Sequence, residues 1–247
     1  MISSLIRWCT TLGLAGATFW VSGFGRMTPA FALPAQQVVE RLQEVPVFTI
    51  TDPQGAPLVS GNMAGVFIHP DDAYAFIARL RENNRELASQ VRVIPVSLGE
   101  IFRLDAASSN QADGLNFAYV PMRAQVQNAQ QATQQADFQG VPLFVARGGN
   151  EQGYITLQQD NQQRIPFFFE REQLEVLVQR FREQQPEMAS TIQIEVVPLE
   201  AILATLAESN NQQLMQILLV PSDSAIQCWQ WHQSNNPDGG ARTCPQR

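Results

Sequence analysis

The chain offers little imidazole or thiol for chemistry: His69, His232, Cys9, Cys228 and Cys244 are all it has. His69 stands two and three residues before Asp71 and Asp72, near enough for imidazole and carboxylates to share a metal ion or a proton. The same run, His69-Pro70-Asp71-Asp72, opens a helix, where acids are stabilised by the macrodipole with no chemistry attached. Spacing alone supports that plainer reading. Asp71 is matched by Glu172 in a second copy of the pattern described below, and two carboxylates facing across a twofold would act as a hydrolytic pair only at a separation that sequence does not set. There is no Gly-x-Ser-x-Gly elbow, His-Glu-x-x-His pair or P-loop. The sequence therefore gives no catalytic residue, no cofactor-binding residue and no metal ligand, and it predicts a protein that is not an enzyme.

The thiols point to a compartment. Residues Met1 to Ala32 read as a secretory signal: Arg7 is the only charge in the first 25 residues, Trp8 to Phe24 is apolar or small, and Ala30-Phe31-Ala32 places small residues at −3 and −1 of a cleavage site. The alternative is a retained anchor, because the apolar run reaches the lower end of spanning length. Cleavage removes Cys9 and leaves an even pair, Cys228 and Cys244, which in an oxidising compartment closes a loop stabilised by about 3 kcal/mol. A metal site would want more ligands nearby than His232 and Asp238, and a redox site a tight Cys-x-x-Cys.

With 45% apolar and 16% charged residues, disorder is excluded, and 15 Gly exclude a collagen repeat. A net charge of −7 and a pI near 4.9 argue against a nucleic-acid surface. All 16 basic residues are Arg, there is no Lys, and Gln numbers 30; this bias has no physical account beyond a polar, weakly charged exterior. Beyond the leader no stretch approaches 18 consecutive apolar residues, so the mature form is not expected to span a membrane.

The elements that would position any site are duplicated. At an offset of 101, Arg79-Leu80-Arg81-Glu82 falls on Arg180-Phe181-Arg182-Glu183, and Val96, Leu98 and Ile101 fall on Val197, Leu199 and Ile202. Upstream the offset is 96, with Val45-Pro46-Val47-Phe48 on Val141-Pro142-Leu143-Phe144; downstream it is 100, with Val120-Pro121 on Val220-Pro221. Three islands in one order predict a duplicated unit.

Each unit reads as α+β. Strands are expected at Val45 to Ile50, near Leu58 and at Val66 to Ile68, with an Asp52-Pro53-Gln54-Gly55 turn; the second copy has strands at Leu143 to Ala146, Tyr154 to Leu157 and Ile165 to Phe169. A long helix follows, striped by Ala73, Phe76, Ile77 and Leu80 or by Leu174, Leu177, Val178 and Phe181. Then come a strand, a short helix (with Pro198 at N1 in the second copy) and a closing strand at Asn116 to Val120 or Gln216 to Val220. The predicted organisation is a signal peptide at 1–32, a first repeat at 33–124, a Gln/Ala-rich connector at 125–139, helical or flexible, a second repeat at 140–227, and a Cys/Trp-containing tail at 228–247. The fold class is two pseudo-twofold-related repeats, each an antiparallel or mixed sheet with one long and one short helix. Ala106 to Asp113 reads as a polar loop.

In Phe167-Phe168-Phe169 the faces alternate, so if Phe168 enters a repeat's core, Phe167 and Phe169 point to the other side of the sheet. With two helices for five strands, that side is either covered by the other repeat or open as an apolar groove for extended polypeptide. The groove candidates are Val66, Ile68, Phe167 and Phe169.

These residues resemble a known family, the chloroplast inner-envelope translocon 22-kDa component family (Tic-22-like), in its cyanobacterial periplasmic version. The likeness spans the mature chain and rests on Val45-Pro46-Val47-Phe48, Gly65-Val66-Phe67-Ile68, Val93 to Leu98, Asn116-Phe117-Ala118-Tyr119-Val120-Pro121 and Gly140-Val141-Pro142-Leu143-Phe144. The resemblance implies two pseudo-symmetric α/β halves and a periplasmic chaperone-like factor, binding unfolded or translocating polypeptides in outer-membrane protein biogenesis or envelope import. It also implies unfolded or outer-membrane-bound clients, envelope translocon or barrel-assembly partners, no nucleic acid and no cofactor. The thylakoid lumen, or in plant relatives the plastid intermembrane space, are the alternative locations. The alternative functions are a non-catalytic envelope scaffold and, behind it, a periplasmic hydrolase.

Overall fold

Period-two alternation sorts the strand residues into an inner and an outer set. In the central strand Pro46–Thr51 every residue is buried, which requires cover on both faces. The structure is a computed structural model and describes residues 35–108, 114–149, 151–159, 161–209, 211–235 and Cys244. The expected signal peptide at 1–32 lies outside these residues.

The first half runs α1 (Ala35–Leu42), β1 (Pro46–Thr51), β2 (Val59–Ser60), β3 (Met63–Phe67), α2 (Pro70–Asn83), α3 (Arg85–Gln90), β4 (Arg92–Ser97), α4 (Leu98–Ser108) and β5 (Asn116–Val120). After α5 (Arg123–Thr133) the second half runs β6 (Pro142–Gly148), β7 (Gly153–Tyr154), β8 (Leu157–Gln159), β9 (Gln162–Phe168), α6 (Arg171–Gln184), a 3-10 turn at Pro186–Thr191, β10 (Gln193–Pro198), α7 (Leu199–Glu208), a 3-10 turn at Gln212–Gln216, β11 (Ile217–Val220) and α8 (Asp223–Asn235).

The two sheets have one plan. The first is ordered β4-β1-β3-β5, and the second β10-β6-β9-β11; in each, the last pair is parallel and the others antiparallel. Register agrees as well: Phe48 pairs with Phe67 and Phe144 with Phe168, while Val47 pairs with Val96 and Leu143 with Val197. Junctions repeat too. The Leu98 N–H donates to the Val45 carbonyl and the Leu199 N–H to the Val141 carbonyl, both at 2.8 Å. In the first half, Asp52 Oδ1 accepts from the Gln54 and Ala56 amides, and Gly55 takes φ +89° to complete the turn after β1.

The inner faces of both sheets share one core. Val47, Val66 and Ile68 of the first half lie in the same cluster as Leu143, Val145, Phe167 and Phe169 of the second, with Leu42 of α1, Leu98 of α4 and Leu199 of α7. The proposed groove residues are therefore buried: Val66, Ile68, Phe167 and Phe169 expose 0%, 4%, 3% and 1% of their surfaces. Alternation places Phe167 and Phe169 opposite Phe168, but their side of the sheet is closed by the other half and not open to solvent. Close packing of α1 on α4 requires Gly99, where a Cβ would stand 2.4 Å from the Val39 carbonyl oxygen.

The outer faces are covered by exchange. Helix α5 leaves the first half and lays Ala129 against Phe144, Phe168 and Leu174 of the second. Helix α8 leaves the second half and packs Ala225 and Cys228 with Phe48, Phe67 and Ala73 of the first. The connector is thus helical from Arg123 to Thr133, and the division at residue 228 cuts through α8. Helices α1, α3 and α8 are additional to the one long and one short helix expected in each repeat, and α5 takes the helical of the two forms expected for the connector. Two smaller corrections follow: α4 extends to Ser108, into the expected polar loop, and Pro198 is the N-cap of α7, not N1.

Candidate functional site

Of the polar residues singled out in the sequence, His69, Asp71 and Glu172 have structural partners. His69 caps α2, its Nδ1 accepting the Asp71 N–H at 3.2 Å, with the Asp71 carboxylate 3.8 Å away. This fills the role of an N-cap, and Pro70 at N1 has no N–H to satisfy. Burial raises the Asp72 pKa, with the His69 imidazole pulling the other way. Glu172 answers a different need. It accepts from the Gln125 side chain at 2.8 Å and Asn128 at 3.0 Å, while the Gln125 Oε1 accepts the Arg171 backbone N–H. Burial works against the Glu172 charge, but its backbone bond and these two amides win and lower its pKa. Asp71 and Glu172 therefore hold separate local networks.

A cleft of about 800 Å³ opens between α1 and the β9–β11 side of the second half. Helix α1 is short, with Val38 and Leu42 seated in the shared core; this turns Gln37, Glu40 and Arg41 outward to form one wall. Met215, Leu218, Leu219, Val220, Pro221 and Ile226 form the other. Successive strand residues face opposite sides of a sheet, so a cleft touched by Leu218, Leu219 and Val220 in turn follows the strand's edge. That edge is unpaired: β11 pairs with β9 on one side and, among the described residues, with no strand on the other. Arg164 braces the floor, its guanidinium buried and donating to the Met215 carbonyl at 2.7 Å and to the Gln162 side chain. Burial and the Arg164 cation both lower the Arg41 pKa, with Glu44 opposing. No ion pair engages Arg41 or Arg164 among the described residues.

The cleft thus combines a strand edge without a strand partner, apolar side chains and a charged rim, and among the described residues its walls carry no histidine or cysteine. The Tic22-like family profile matches residues 17–231. The chain belongs to that family. Among curated Tic22 relatives, Protein TIC 22, chloroplastic, of Pisum sativum is 25% identical over 67% of this chain, and Protein TIC 22-like, chloroplastic, of Arabidopsis thaliana is 26% identical over 76%. The chain spans 64% and 61% of the lengths of those two relatives. Anabaena Tic22, a protein of protein transport, superposes with a TM-score of 0.68 at 26% identity, covering 78% of this chain and 95% of that one. Plasmodium falciparum Tic22, at 18% identity and a TM-score of 0.61, shares the fold.

Sequence reading missed this cleft. Its wall residues are spread from Gln37 to Ile226, and the edge status of β11 depends on sheet order, which no local pattern carries. Leu218 and Val220 did stand inside the expected closing strand. The structure joins Cys228 and Cys244, with Cα atoms 5.2 Å apart, and brings His232 beside them. Tyr74 of α2 anchors the second cysteine by accepting the Cys244 N–H at 3.0 Å. No helix of the described residues is long and apolar enough to cross a membrane.

Proposed function

We propose that this Tic22-like protein serves protein transport as a periplasmic, chaperone-like binder of unfolded or translocating polypeptides, held in extended form along β11. The single observation that carries this reading is the β11 edge, without a strand partner among the described residues, lying in a cleft walled on one side by apolar side chains and on the other by the polar face of α1. An extended client adds as a strand, its backbone satisfying the free amides and carbonyls, while Met215 and Leu218 take up apolar side chains of any sequence. Main-chain pairing gives affinity without a sequence requirement, as a general escort needs. The rim of Glu40, Glu44, Arg41 and Gln37 stays hydrated and keeps capture reversible. No bond is broken in this role, and no catalytic group is required. The expected leader and the Cys228–Cys244 pair support an oxidising compartment outside the inner membrane.

Hydrogen exchange with an unfolded outer-membrane protein tests the proposal. Added client should protect the amides of residues 217–220 and 37–45. Protection elsewhere, or stable capture of a folded envelope partner with no effect on client aggregation, would refute it and favour a scaffold.

A further inference from the structure

On α8, Cys228 and His232 stand four residues apart and so share one helix face, and Cys244 is docked onto that face by Tyr74. The ligand atoms of Cys228, His232 and Cys244 all lie within 4.8 Å of one another. The His232 Nε2 is buried and has no hydrogen-bond partner among the described residues. A buried imidazole nitrogen left without a partner carries an uncompensated desolvation cost, and a metal ion is one group that removes it.

We propose that the reduced protein binds one thiophilic divalent cation through Cys228, His232 and Cys244, so that the disulfide and the metal are alternative closures of the same loop. Two thiolates and an imidazole are a soft donor set, suited to zinc or cobalt(II), and leave one position of a tetrahedral ion for water. The charges suit the surroundings. Two thiolates neutralise the ion, so the loaded site carries no net charge beside Arg92, the cation that acts on His232.

The steps balance. A phosphine reductant takes an oxygen atom from water and becomes its oxide; the S–S bond breaks, and the two hydrogens of that water end on the Cys228 and Cys244 sulfurs. Metal binding then releases both thiol protons to solvent.

The test is titration of the phosphine-reduced chain with cobalt(II) alone. The expected result is one equivalent bound, reported by a thiolate-to-cobalt charge-transfer band, with none in the oxidised chain. Cys228→Ser or Cys244→Ser should abolish the band, and His232→Ala should weaken binding by roughly tenfold or more. His232→Gln serves if the alanine variant does not fold, and circular dichroism on the same samples follows folding. Absence of stoichiometric binding, equal binding by the oxidised chain, an unchanged affinity in both His232 variants, or binding by a reduced chain that stays unfolded would each overturn the proposal.

Discussion

Truncating Phe169 to alanine should unfold the protein more readily and leave client capture by the folded fraction unchanged. Phe169 exposes 1% of its surface and sits in the cluster that both halves share. A buried aromatic covers about 200 Å², which at about 25 cal/mol per Å² corresponds to about 5 kcal/mol, and measured phenylalanine truncations fall at about 3–5 kcal/mol. Taking about 4 kcal/mol, and a urea slope of about 2–3 kcal/mol per molar for a chain of this size, the unfolding midpoint should drop by about 1.3–2 M. The two halves should be lost together, because the cavity lies between them and belongs to neither alone. Urea titrations read by far-ultraviolet circular dichroism and by tryptophan fluorescence would measure it. Overlapping transitions with an unchanged slope fit the reasoning. A variant with the parent's midpoint and impaired client protection would refute it, since Phe169 would then be an accessible contact.

Replacing both Cys228 and Cys244 with Ser removes a link across 16 residues of chain, and about 3 kcal/mol should be lost in thermal or urea melts. Gly99→Ala drives a methyl into the Val39 carbonyl; about 1–3 kcal/mol of destabilisation is expected, with faster hydrogen exchange in α1 as its local signature. Gln125→Ala strips the Arg171 N–H and the Glu172 carboxylate of a partner and should cost about 1–2 kcal/mol. The pH profile checks the same contact: Glu172 has a folded pKa below its ordinary 4.5, so its contribution is present above that value and fades as pH falls through the lower one. The variant should show a flatter loss of stability in that acid window. Leu218→Asp, at the half-buried cleft wall, should leave the fold intact and reduce protection of an aggregating client, read by light scattering.

Much of the sheet architecture was readable because strands announce themselves locally. Val45 to Ile50, the Asp52 to Gly55 turn and the alternation through Phe167, Phe168 and Phe169 each follow from neighbouring residues, and the offsets of 96, 101 and 100 coincide with equivalent strand pairs. The exchanged helices were not readable in the same way. Helix α5 buries only Gln125 and Ala129, a polar residue and a small one, so it shows no apolar stripe; its partner surface is formed by residues that come later in the chain. Helix α1 has just Val38 and Leu42 to declare it. The cleft and the Cys228–His232–Cys244 cluster depend on contacts across the whole chain. His232 and Asp238 counted as too few ligands beside the cysteines, whereas the structure brings His232 to both Cys228 and Cys244; Asp238 lies outside the described residues.

The exchange of α5 and α8 also sets a clock on folding. A chain emerging N-terminus first makes β1 to β5 early, yet the helix that covers their outer face, Asp223–Asn235, comes more than 100 residues after Val120. Until α8 arrives, Phe48 and Phe67 have Ala73, Tyr74 and Ile77 of α2 beside them but lack Ala225 and Cys228, so the first half has an incomplete core on which to settle. The outer face of the first sheet is thereby completed only once α8 has been made, which ties the closure of the first half to that of the second.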